Sequence, residues 1–124
     1  YVILDSGKEP EIILMASGSE VHLVYEAGKQ LISRGVAARV ISMPSFELFE
    51  EQSEEYRESV LPKKVTKRIA VEAGSSFGWH KYVGLDGVTI TMDSFGESAP
   101  AGQLFKKYGF TVENVLEKAE KLLK

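Results

Sequence analysis

The chain has 124 residues, 44% of them apolar and 27% charged, with a net charge of -3 and no cysteine. That balance excludes disordered and fibrous classes, and its mixed, slightly acidic charge leaves no electrostatic footprint for nucleic acid or an anionic membrane. The absence of cysteine removes disulfides, thiolate zinc sites and cysteine nucleophiles together, and suits a reducing, cytoplasmic setting.

The length is one domain's worth, enough for a single core. The apolar run at residues 12–16 is far too short to span a bilayer. No basic leader precedes an apolar run, so no secretory signal is expected. Tyr1 already lies in a strand-like run, and a piece of a longer polypeptide is the expectation.

Residues 1–4 form a short β-like run closed by Asp5, Ser6 and Gly7. Residues 11–16 are nearly continuously apolar, the signature of a strand covered on both faces. Ser17-Gly18-Ser19-Glu20 follows with the S-x-x-E spacing of a capping box. Val21, Val24, Gly28 and Leu31 then recur at helical spacing, and Gly35 stops the helix. Residues 36–42 predict another internal strand, halted by Met43-Pro44-Ser45.

The acidic stretch 46–64 predicts one or two short helices around Phe49 and Tyr56, ended by Pro62. Residues 68–73 predict the fourth strand and Gly74-Ser75-Ser76 its loop. Trp79, Tyr82 and Val83 fall on a short helix or turn, and Asp86-Gly87 turns into a fifth strand at 88–92. Pro100 suits the first turn of a helix with Ala101, Leu104, Phe105 and Tyr108 on one face and Gly109 at its end. Thr111 caps a last helix whose stripe is Val112, Val115, Leu116, Ala119, Leu122 and Leu123. Strands alternating with helices predict a mostly parallel sheet between helical layers. There is no internal repeat.

The junction Ser17, Gly18, Ser19, Glu20 presents unpaired backbone N–H groups at a helix start, where a phosphate or carboxylate would be held. A plain capped turn explains the same residues. A dinucleotide fingerprint needs three glycines, and only Gly18 is present. Asp86-Gly87 with Asn114 is a poor match to a thiamine diphosphate motif: Leu85 stands for the first glycine, and the asparagine is single and inside a helix. His22 and His80 are too isolated to suggest a metal pair, and His22 reads as a surface residue. Glu50-Glu51 and Glu54-Glu55 read as a solvated face. Glu72 ends the fourth strand, where crevices form in such sheets, with Gly74 and Ser75 beside it.

Read in order, several segments resemble the C-terminal domain of transketolase. They are Ser17-Gly18-Ser19-Glu20-Val21, Ala38-Arg39-Val40-Ile41-Ser42-Met43-Pro44-Ser45 and Tyr56-Arg57-Glu58-Ser59-Val60-Leu61-Pro62, then Ala70-Val71-Glu72-Ala73-Gly74 and Trp79-His80-Lys81-Tyr82-Val83-Gly84. Phe95-Gly96-Glu97-Ser98-Ala99-Pro100-Ala101 and Tyr108-Gly109-Phe110-Thr111 complete the set. The resemblance covers essentially the whole chain. It implies a three-layer α/β/α sandwich with five strands in order 1-3-2-4-5, the first antiparallel, as a single domain over residues 1–124.

The resemblance further implies a homodimeric, cytoplasmic enzyme of the pentose phosphate pathway that moves a two-carbon ketol unit between sugar phosphates. Thiamine diphosphate with Mg²⁺ or Ca²⁺ would lie between the N-terminal and middle domains, so no catalytic, cofactor-binding or metal residue is carried onto this chain. The chain alone is expected to be inactive, with an assembly role. Trp79, His80, Tyr82, Phe95 and Glu97 are then candidate interface residues, because aromatic side chains anchor protein contacts, with Trp79 and Phe95 completing the domain's own core as the alternative. The alternative is a regulatory module binding a small anion or nucleotide at the loops after the second and fourth strands, through Ser17 to Glu20 and Glu72, Gly74 and Ser75.

Overall fold

The computed structural model describes residues 1–43, 46–72, 79–91 and 111–124. Five strands form one sheet: β1 (Val2–Asp5), β2 (Ile12–Ala16), β3 (Ala38–Ser42), β4 (Arg68–Glu72) and β5 (Val88–Thr91). Their order is β1-β3-β2-β4-β5; β1 runs antiparallel to β3, and the other pairs are parallel. This is the expected layout. The helix expected at 100–108 lies outside the described residues.

Strand β2 is the centre of the sheet, and all five of its residues are fully buried. Alternation along the strands divides the core in two. Ile12, Leu14, Val40, Ile69 and Val71 face a layer made by α1 (Val21–Ser33) and α5 (Val112–Leu123). Ile13, Met15, Ile41 and Ala70 face the opposite layer, which holds α2 (Phe46–Glu51), α3 (Glu54–Val60) and α4 (His80–Val83).

Local chemistry sets the helix ends. Gly35, with φ of 88°, takes the left-handed position after α1, and Val36 N–H donates to the Leu31 carbonyl while Gly35 N–H donates to that of Ile32. That pair of bonds is a Schellman cap. Thr111 caps α5 by accepting from the Asn114 N–H at 3.1 Å.

Right-handed crossovers explain which helix lies on which face. From β2 the chain moves to β3 through α1, whereas from β4 it moves to β5, on the other side, through α4. The two connections therefore leave on opposite faces, and a crevice opens between the carboxyl ends of β2 and β4. The residues at that edge are Ser17 and Glu72.

Candidate functional site at the carboxyl ends of the strands

Ala16 pairs with Val71 in parallel register, so Ser17 and Glu72 are the next residues side by side. The Ser17 backbone is extended, Gly18 takes a φ of 61°, and a 3-10 turn at Gly18–Glu20 leads into α1. The capping box expected here does not form. Ser17 makes no side-chain cap bond; its hydroxyl instead donates to Oε2 of Glu72. An ionised carboxylate is a stronger partner for a hydroxyl than a helix N–H, and the sheet register brings it within reach.

Glu20 also departs from its expected role. Only 5% exposed, it points its Oε2 back to within 3.7 Å of where a Cβ on Gly18 would stand. Two carboxylates, Glu20 and Glu72, thus face a turn expected to attract an anion. The backbone of Ser19 lies in the turn, and His22 is exposed, as expected.

Of the candidate interface residues, Trp79 is 1% and Tyr82 6% exposed. Phe46 meets Trp79 edge-on at 4.9 Å and stacks on Tyr82 at 5.0 Å, and Phe49 meets Tyr82 edge-on at 5.7 Å. These rings are covered by the domain's own atoms, so Trp79 takes the core alternative of its two readings, and Tyr82 is a core residue too, a correction to its reading as a surface anchor. His80 lies on the backbone of α4. Gly74, Ser75, Phe95 and Glu97 lie outside the described residues.

A second polar cluster escaped the sequence reading. Glu50, expected on a solvated face, accepts from the Tyr82 hydroxyl at 2.7 Å, from Lys81 Nζ at 2.6 Å and from Arg57 Nη1 at 3.0 Å. The bonds from Lys81 and then Tyr82 hold its pKa below the usual carboxylate value, while burial and the bond to Glu50 push that of Tyr82 up. Spacing contained the signal: Phe46, Phe49 and Glu50 stand at i, i+3 and i+4, one face of α2. The cluster borders a cleft of about 220 Å³ that also meets Arg68. Arg68 donates to the carbonyls of Val65, Tyr82 and Pro62 at 2.8, 2.6 and 2.8 Å. The cations Arg57, Arg68 and Lys81 are all engaged within the domain, so the cluster reads as a clasp between helices.

Asp86 and Asn114, the partial match to a metal-bridged diphosphate motif, fall on separate elements. Asp86 occupies the turn before β5, and Asn114 lies in the first turn of α5. Among the described residues, no group of three or more His, Cys, Asp or Glu is placed to hold a metal ion. Among the same residues, no helix is long and apolar enough to cross a membrane.

The family model described as the transketolase-like TK C-terminal domain matches residues 1–111. The chain belongs to this family. Over 123 residues, 99% of the chain, it is 56% identical to Transketolase 2 of Aliivibrio fischeri and 55% identical to Transketolase 1 of Escherichia coli. It spans 19% of the length of each. The solved transketolase from Leishmania mexicana superposes with a TM-score of 0.89 at 44% identity, covering 99% of this chain and 18% of that one. The shared sheet and sequence place the chain among transketolase C-terminal domains, in preference to a separate anion- or nucleotide-binding module.

Proposed function

We propose that this chain serves as the C-terminal domain of a transketolase that moves a two-carbon ketol unit between sugar phosphates. One observation carries the reading: 55–56% identity runs through 99% of the chain against enzymes named transketolase. In this reading the longer enzyme is a cytoplasmic homodimer of the pentose phosphate pathway. Its thiamine diphosphate and Mg²⁺ or Ca²⁺ are bound by the N-terminal and middle domains. This domain contributes assembly rather than chemistry, with His80, Phe95 and Glu97 as candidate contacts.

The test is a replacement. The matching segment of Escherichia coli Transketolase 1 is exchanged for this chain, and the chimera is assayed for ketol transfer and for dimerisation by sedimentation. Retained activity and dimer are expected. A folded, dimeric chimera without ketol transfer overturns the reading. Titration calorimetry of the 124-residue chain with thiamine diphosphate and Mg²⁺ is expected to show no binding, and stoichiometric uptake would contradict the division of labour.

A further inference from the structure

We propose that the link between Asp86 and Gly87 is a site of covalent modification, at which the peptide bond isomerises through a succinimide to isoaspartate. The sequence holds one aspartate followed by glycine, and the fold constrains both members of that pair. A Cβ at Gly87 would stand 2.4 Å from the Val83 carbonyl oxygen and 2.6 Å from the Val83 Cβ, and Val83 is only 2% exposed. Packing against the end of α4 therefore demands glycine, and glycine leaves its amide nitrogen unshielded by a side chain. The Asp86 carboxylate is exposed, and among the described residues nothing donates to it or pairs with it. Leu85 beside it is fully exposed, so the turn stands out into solvent. The Gly87 N–H is held by a bond of 3.4 Å to the Gly84 carbonyl, longer than the usual range.

Water is the one co-reactant. The Gly87 nitrogen attacks Cγ of Asp86 and an N–Cγ bond forms. A carboxyl oxygen leaves as water, taking the amide proton and the proton of the carboxylic acid. Water then adds to the succinimide. Addition at Cγ restores aspartate, whereas addition at the backbone carbonyl breaks the original bond between Asp86 C and Gly87 N. The chain then runs through Cβ and Cγ, with the α-carboxylate free, and Gly87 loses its seat on Val83. Asp5 offers a contrast within the same chain. It is followed by Ser6, lies in β1 paired with β3, and has its carboxylate bound to Arg39 at 3.4 Å.

The test keeps the folded 124-residue chain in neutral buffer for several weeks, beside the same chain unfolded in urea. Isoaspartate is read as a peptide of unchanged mass that resists an endoproteinase cutting before aspartate. Conversion at Asp86 is expected within about tenfold of the unfolded rate, because a projecting turn opens locally at little cost. Asp5 is expected to convert more slowly. Asp86→Glu, which can close only a larger and slower ring, is expected to keep its peptide map unchanged. Conversion slowed far beyond tenfold by folding, or faster at Asp5 than at Asp86, overturns the proposal. The isoaspartyl form, separated by chromatography, is expected to show a lower urea midpoint by Trp79 fluorescence, since the Val83 N–H donates to the Trp79 carbonyl at 3.0 Å. Equal midpoints would overturn the coupling of this turn to α4.

Discussion

Gly28 sits where α1 crosses β3, and its missing side chain sets how closely helix and sheet approach. A Cβ there would stand 2.3 Å from Cγ2 of Val40 and 3.3 Å from Cδ2 of Leu4. Alanine would gain about 1 kcal/mol in helix propensity. Forcing a methyl into a packed core costs about 1–3 kcal/mol, and here the opposing atom belongs to a stiff, fully buried valine. Gly28→Ala is therefore expected to lower the urea midpoint of the chain, and a rise would show that α1 shifts freely over the sheet. Glu50 makes a different prediction, about pH. Its folded pKa lies below the ordinary 4.5, chiefly through the bond from Lys81 and then that from Tyr82. A depressed carboxylate pKa contributes stability that is present above the unfolded value and lost as pH falls through the folded one. Thermal melts of wild type and Glu50→Gln should thus differ at pH 7 and converge as pH falls below the ordinary carboxylate range. Equal melting temperatures at pH 7 would show that the clasp contributes nothing.

At the scale of elements, helices with a continuous apolar stripe were legible from sequence, because burial of one face imposes the 3.6-residue period. The last helix, expected from its stripe and Thr111, is α5 with that cap. The central strands were legible for the matching reason: a strand covered on both faces has no polar alternation. What sequence concealed are side-chain choices made across the fold. Ser17 and Glu72 are separated by 55 positions, and the S-x-x-E spacing fits a helix cap equally well until the sheet register brings Glu72 alongside. Trp79 posed the same ambiguity, since an aromatic beside a loop serves an interface or a core. Its burial against Phe46 selects the core, where it joins α4 to α2. Trp79→Ala is expected to destabilise the 124-residue chain by about 3–5 kcal/mol in urea unfolding. A loss under 1 kcal/mol, roughly the scale of a surface change, would return Trp79 to the surface.

For the whole molecule, the decisive feature is that both helical layers pack on the same central strands. Successive residues of β2 serve opposite layers: Ile12 and Leu14 face α1 and α5, Ile13 and Met15 face α2, α3 and α4. Neither layer can separate without exposing one side of a strand that carries no polar face. The sheet therefore couples them, and unfolding should be one cooperative transition, as in most domains of this size. Trp79, the chain's one tryptophan, reports on the α4 layer alone. Leu31 is buried in the opposite layer, and Leu31→Ala should cost about 2–5 kcal/mol. Far-ultraviolet circular dichroism follows the helices of both layers, whereas fluorescence follows only the environment of Trp79. In Leu31→Ala the two midpoints are expected to fall together and by the same amount, although the substitution lies across the sheet from the fluorophore. The reciprocal variant, Phe49→Ala, removes a ring beside Tyr82 and should likewise lower both midpoints. If Leu31→Ala shifts the circular dichroism midpoint and leaves the fluorescence midpoint in place, the layers unfold independently and β2 does not couple them.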